Sequence, residues 1–215
     1  AEMTNKLQEL VLNIYKTDGE TKKALAGAEF TVYDNDGNEL GKVTTGEDGN
    51  ASTRGNITMY AGREYIVRET KAPQGYKASN FEQKFSSDYN CSIEYHEVNI
   101  SVENAPTEVT ITKTDFSTGE LIPDCGIEIL DEDKNVIVQG RTDEKGEVTF
   151  KRLPVGKYYY REFDAPKGYY LDPTPYAFTI GEDGIFKAEM TNKLQELVLN
   201  IYKTDGETKK ALAGA

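Results

Sequence analysis

The sequence predicts an all-β protein made of two tandem modules, each a small sandwich or barrel. Three observations lead there. Short runs rich in Tyr, Val, Ile, Thr and Phe alternate apolar with polar residues, which is the period of a half-buried strand. Turn sequences such as DNDGN, GEDGN, DEKGE and GEDG separate the runs, giving the spacing of roughly 8–12 residues typical of small β domains. The chain also repeats itself on two scales, which has to be settled before any fold is assigned.

The larger repeat is literal. Residues 1–28 reappear unchanged as residues 188–215, a shift of 187. A tandem array of 187-residue units is the favoured account of it, with an engineered overlap as the alternative. Within one unit a weaker repeat is visible: residues 14–40 match 111–137, YIVRETKAPQGY at 65–76 matches YYYREFDAPKGY at 158–169, and ISVENAP at 100–106 matches AEMTNKL at 188–194. Order is kept and only loop lengths change. The expected division is therefore a first module over 8–106 and a second over 107–193. Residues 1–7 then end a preceding repeat, and 194–215 are the truncated start of the next.

The opening stretch LQELVLNIYK could be read as a helix, but its counterpart EVTITKTD alternates strictly, so both are assigned as strands. Successive side chains on a strand point to opposite faces. Leu12, Ile14 and Lys16 share a face, as do Val109, Ile111 and Lys113. At the end of each module Ile100 and Val102 share a face with Asn104, and Ala188 and Met190 share one with Asn192. Tyr65 and Val67 align with Glu69, and Tyr158 and Tyr160 with Glu162. Each module thus places one Lys, one Glu and one Asn in core register. Burying a charge alone is prohibitively costly, so the three should meet. A Lys–Glu ion pair with an Asn hydrogen bond, or three strand ends wetted by solvent, would also satisfy the pattern.

Such a triad permits a specific reaction. Burial favours the neutral, nucleophilic amine and the neutral acid. The acid can polarise the Asn carbonyl or carry protons from the attacking amine to departing ammonia. The product is a Lys–Asn amide, made once per molecule with no external substrate, so the chain is not expected to be an enzyme.

The motifs IYKTD and ITKTD, LAGAEFTVYDNDGN, YIVRETKAPQGY and YYYREFDAPKGY, and VENAP and MTNKL occur in order and twice. In this combination the chain resembles the Cna B-type and SpaA-type (prealbumin-like) domains of Gram-positive adhesins and pilins, over nearly its whole length. The resemblance implies two immunoglobulin-like β-sandwich modules. It also implies isopeptide bonds Lys16–Asn104 and Lys113–Asn192, with Glu69 and Glu162 as the assisting acids. Lys203 copies Lys16 and Asn5 copies Asn192; without their full sets of partners both are expected to be unreacted. The implied role is a stalk repeat of a wall-anchored extracellular adhesin, with neighbouring repeats of the same chain as partners. The alternatives are a module that binds host matrix or surface ligands and a pilin backbone subunit. A pilin would need a sorting motif that this sequence lacks.

Composition narrows the other classes. The net charge is −12, with 37% apolar and 29% charged residues. That field repels a phosphate backbone and an anionic bilayer, so neither nucleic acid nor a membrane surface is an expected partner. No apolar run reaches membrane-spanning length. The cysteines, Cys91 and Cys125, fall in different modules, and Cys125 stands where the first module has Ala28. A buried free thiol is the favoured reading for Cys125, with a Cys91–Cys125 bridge left open. His96 is the only histidine, so no His-based metal site is expected. DNDGNE at 34–39 lacks the full EF-hand spacing and reads as a hairpin turn. No metal and no cofactor are expected. Among Tyr158, Tyr159, Tyr160, Tyr169 and Tyr170, at least Tyr158 and Tyr160 share the inward face, which favours core packing over a ligand surface. The sequons at Asn50, Asn56, Asn90 and Asn99 are expected to be silent in a bacterial protein.

Overall fold

A computed structural model describes residues 7–88 and 95–213. Asn5, Cys91 and the Asn90 sequon lie outside the described residues. Module 1 contains β1 (Glu9–Asp18), β2 (Glu29–Asp34), β3 (Glu39–Thr44), β4 (Asn50–Ser52), β5 (Tyr65–Lys71), β6 (Glu82–Phe85) and β7 (Tyr95–Asn104). Module 2 repeats the series as β8 (Glu108–Asp115), β9 (Gly126–Leu130), β10 (Val136–Arg141), β11 (Glu147–Lys151), β12 (Gly156–Asp164), β13 (Tyr176–Ile180) and β14 (Ile185–Asn192). Among the described residues there is no helix, and none long and apolar enough to cross a membrane. The LQELVLNIYK stretch is strand β1, as its counterpart required.

Each module is a two-sheet sandwich. In module 1 a three-stranded sheet of order β4-β1-β7 faces a four-stranded sheet of order β3-β2-β5-β6. In module 2 the sheets are β11-β8-β14 and β10-β9-β12-β13. The first and last strands of each module are neighbours and run parallel, β1 with β7 and β8 with β14. Every other pairing of these strands is antiparallel. A parallel pair needs a long crossover, and here the entire second sheet supplies it.

The inward residues named by alternation form the cores. Leu12, Ile14, Phe30, Val67 and Val102 pack in module 1, and Val109, Ile111, Ile127, Tyr158 and Tyr160 in module 2. Tyr160 extends into a ring cluster in which Phe178 and Phe186 stack with centroids 4.4 Å apart. Tyr158 and Tyr160 are thus core residues, whereas Tyr170 is exposed. The DNDGN segment is a hairpin turn: Asp34 accepts the backbone N–H groups of Asp36 and Asn38, and Gly37 takes the positive φ that the turn demands.

Beyond β14 the chain copies β1 in sequence but forms no strand among the described residues. Leu197, Ile201 and Tyr202 are exposed, and so is Lys203. The turn after it nevertheless forms, with Thr204 bridging Ala211 as Thr17 bridges Ala24.

Candidate functional site

The two core-facing lysines, Lys16 and Lys113, are gripped by their backbones. Lys16 donates its N–H to Gly49 O (2.8 Å) and accepts from Leu25 N (2.9 Å). Lys113 does the same with Gly146 O (2.8 Å) and Ile122 N (2.9 Å). Gly49 and Gly146 both have positive φ, and a Cβ on either would lie 2.6 or 2.7 Å from the lysine carbonyl oxygen. Glycine is therefore required at the turn on steric and conformational grounds alike. The side chains then follow strand parity into the core, where Lys16 and Lys113 are both 0% exposed.

The asparagines arrive on the parallel neighbour. Register pairs Lys16 with Val102 and Asp18 with Asn104, so Asn104 lies diagonally across from Lys16 on the same face. Lys113 pairs with Met190 and Asp115 with Asn192, giving the same diagonal. The glutamates come from the opposite sheet, Glu69 on β5 and Glu162 on β12. Each triad therefore bridges both sheets through the core. Glu69 and Glu162 are buried, as are Asn104 and Asn192, which removes the reading of three wetted strand ends.

In module 1 Lys16 Nζ donates to Asn104 Oδ1 and lies 3.0 Å from Glu69 Oε2. Asn104 Nδ2 donates to Glu69 Oε1 (2.9 Å) and to Lys77 O (3.2 Å). In module 2 Lys113 Nζ donates to Asn192 Oδ1 (2.6 Å), and Asn192 Nδ2 donates to Glu162 Oε1 (2.7 Å). Glu162 Oε1 is 3.7 Å from Nζ, and Oε2 accepts the Asp172 N–H (2.8 Å). Sequence parity thus selects six residues that the fold brings into two triads. In both, the carboxylate meets the amide nitrogen and not the carbonyl oxygen, an arrangement suited to passing protons.

Burial holds both lysine amines below the ordinary value of 10.5, against the opposing pull of Glu69 or Glu162. The neutral amine is the nucleophile, so burial acts in the direction the reaction needs. Cys125, one residue ahead of β9, is a buried free thiol. Burial, reinforced by Glu162, pushes it up to about 12. It is neither thiolate nor accessible, and alternation anticipated its burial but not its nearness to the triad. His96 is committed to structure: its ring nitrogens bond Ser87 Oγ (2.7 Å) and Gln8 Oε1 (3.1 Å).

With this geometry established, comparison with known proteins is decisive on the family. The SpaA prealbumin-like fold domain matches twice, over residues 11–109 and 107–194. The chain belongs to the SpaA prealbumin-like family. No curated protein matches it. Among solved structures, the SpaA-type chain is 33% identical to the Bacillus anthracis TIE protein, with a TM-score of 0.53, covering 87% of this chain and 34% of that one. It therefore spans about a third of that relative's length. BcpA, the major pilin subunit of Bacillus cereus, is 15% identical over 87% of this chain and 100% of its own, with a TM-score of 0.39. The shaft pilin SpaA of Lactobacillus rhamnosus GG is 15% identical over 90% and 100%, with a TM-score of 0.41. The family match and the TIE protein together give the chain its prealbumin-like fold.

Sequence reasoning missed two buried acids near the triads. Asp18 and Asp115 each stand two residues after the lysine, on the same face, and are 2% and 3% exposed. Their parity was visible, but a following turn sequence disguised them as turn residues.

Proposed function

We propose that this chain is a force-carrying part of a wall-anchored extracellular stalk, with each module closed by a self-made Lys–Asn isopeptide bond. The observation that carries the reading is the parallel pairing of first and last strands, with the triad at their C-terminal ends. Tension enters module 1 at the start of β1 and leaves at the end of β7. A bond from Lys16 to Asn104 passes it directly from one strand to the other. Residues 17–103 are then outside the line of force. In module 2 the Lys113–Asn192 bond does the same for 114–191.

The chemistry needs only the three side chains. Neutral Nζ attacks Asn Cγ. The carboxyl takes the proton that Nζ sheds and delivers one to Nδ2, which departs as ammonia. One C–N bond forms and one breaks, so amine plus primary amide gives secondary amide plus ammonia. Folding supplies proximity, worth several kcal/mol of barrier in well-oriented intramolecular reactions. A cleft of about 350 Å³, lined in part by Glu69, Tyr76 and Pro154, lies beside this site.

The exact sequence repeat supports the array reading. Residues 1–7 would end one unit and 194–215 begin the next, with modules over 8–106 and 107–193. Repeats in series project a distal tip, and neighbouring repeats are the immediate partners.

The test is the intact mass of the purified, unfolded chain. A deficit of two ammonias is expected. Glu69→Ala and Glu162→Ala should each restore one. A mass equal to that of the unmodified sequence would overturn the cross-links and leave the triads as ion-paired polar clusters.

A further inference from the structure

The junction between modules holds a cluster that the cross-linking chemistry does not use. Asp18 Oδ1 accepts the backbone N–H groups of Glu20 (2.8 Å) and Thr21 (3.0 Å), closing the turn after β1. Asp18 Oδ2 accepts the Tyr76 hydroxyl (2.7 Å) and two donors of Arg152, Nε at 3.0 Å and Nη2 at 2.8 Å. Arg152 belongs to module 2, in the short connection between β11 and β12. A guanidinium fork on a buried carboxylate is both strong and geometrically demanding. Burial alone would push the Asp18 carboxyl up; the Thr21, Tyr76 and Arg152 hydrogen bonds outweigh it and hold the group below its usual range.

Backbone contacts surround this fork. Thr107, 0% exposed, donates its N–H to Gly75 O (2.9 Å) and its hydroxyl to Leu153 O (2.7 Å). Arg152 N–H donates to Thr107 O (3.2 Å), and Ala78 N–H to Glu182 O (3.0 Å). A Cβ on Gly75 would lie 2.5 Å from Arg152 O, so the glycine of the AP-x-GY segment is what lets module 2 approach. Lys151 adds an ion pair to Glu20.

Module 2 carries the same receptor at its own far end. Asp115 Oδ1 accepts the N–H groups of Ser117 (2.7 Å) and Thr118 (2.8 Å), and Tyr169 stands in the place of Tyr76. The chain leaves by the same path: Gln195 N–H donates to Gly168 O as Thr107 does to Gly75 O. The inserted arginine, however, has no counterpart in module 1. Ala51 pairs with Ile14 and Val148 with Ile111, so register sets Gly55 where module 2 has Arg152. Arg54, in the place of Lys151, is held within its own module, 4.7 Å over the Tyr95 ring and paired with Glu97.

We propose that Asp18, Tyr76 and Arg152 clamp modules 1 and 2 into one rigid body, and that the joint from module 2 to the next copy of module 1 lacks this clamp. The array then alternates stiff and compliant joints, bending once per 187-residue repeat. The first half concerns this chain alone; the second rests on the tandem-array reading.

Residual dipolar couplings on the 215-residue chain test the first half. One alignment tensor shared by both modules is expected. Arg152→Gly, which copies Gly55, should split it into two. Separate tensors in the unaltered chain, or a single tensor in Arg152→Gly, would overturn the clamp. For the second half, two joined copies of the repeat unit should give two tensors, each shared by two modules; one tensor for all four, or four separate ones, would overturn it. Intact mass on the same samples reports the bonds independently. A chain with both ammonias lost and modules that reorient separately sinks the clamp alone. A single tensor with no mass deficit sinks the cross-links alone.

Discussion

The two triads use the same residues differently. Glu69 offers one oxygen to each partner: Oε2 faces Lys16 Nζ at 3.0 Å, and Oε1 faces Asn104 Nδ2 at 2.9 Å. Glu162 offers a single oxygen to both, at 2.7 Å from Asn192 Nδ2 and 3.7 Å from Lys113 Nζ, because Asp172 N–H occupies the other. In module 1 the acid therefore spans lysine and asparagine with separate oxygens, whereas in module 2 an added backbone contact tethers the acid. Identical chemistry placed on similar sheets can differ in readiness through one hydrogen bond outside the triad.

The coarsest way to break the comparison is to remove each acid in turn and pull. With both bonds present, stretching the chain should release no length from 17–103 or 114–191. Glu69→Ala should release the segment between Lys16 and Asn104, which are 88 positions apart, or roughly 300 Å at full extension. Glu162→Ala should release a shorter length, since Lys113 and Asn192 are 79 positions apart. Single-molecule force spectroscopy reads both lengths. An unaltered chain that extends by both lengths would remove the mechanical argument.

Stability should follow the same division. Asn104→Ala deletes the bond but leaves the Lys16–Glu69 pair. If the cross-link acts like a disulfide closing a loop of similar length, its loss costs about 4–5 kcal/mol. Asn192→Ala should cost nearly as much, because loop entropy changes slowly with length. Denaturant titration of the two variants measures both. A negligible loss in either would mean that the bond is absent there.

The sharper test is kinetic. Chains refolded from freshly made, unreacted material should complete the Lys16–Asn104 bond before the Lys113–Asn192 bond. A displacement of order an ångström at a reacting centre can cost up to about 10²-fold in rate, which sets the upper end of the expected gap. Peptide mapping at timed intervals follows each bond separately. Equal rates would show that the Asp172 contact gives way before reaction.

What was legible in the sequence is what period two encodes. Lys16, Glu69 and Asn104 carry core parity, and so do their module 2 counterparts; a side chain's face is fixed locally by its place in the strand. The partner strand and its direction are not local. β1 shows the same alternation whether β7 runs parallel or antiparallel, so the parallel pairing that gives the line of force was invisible. Arg152 was invisible for another reason: it is an exposed loop residue of its own module, and its partner Asp18 belongs to the other. Glu128 is a third case. Its position in GIEIL puts it on the outward face, yet Arg161 and Gln139 cover it to 2% exposure. Such coverage depends on cross-strand neighbours that no single strand specifies.

The smallest expected effect separates the pair from the bond. In Glu69→Ala the lysine stays buried with neither bond nor counter-charge. Burial already lowers Lys16 below 10.5 with Glu69 present, and Glu69 is the main influence raising it; without it the amine should fall further. Between that lowered native value and 10.5, the unfolded chain binds the proton and the folded chain does not. Stability must then rise with pH across the window, by at most ~1.4 kcal/mol per pH unit for one group, and flatten above it. Asn104→Ala keeps Glu69, so its slope should occupy a narrower window. The bonded chain has an amide in place of the Lys16 amine and should gain no slope from it. Denaturant midpoints of the three chains between neutral pH and 10.5 order them. If Glu69→Ala were no steeper than the bonded chain, the lysine would have found water or another partner, and the core position of Lys16 would not by itself hold the amine neutral.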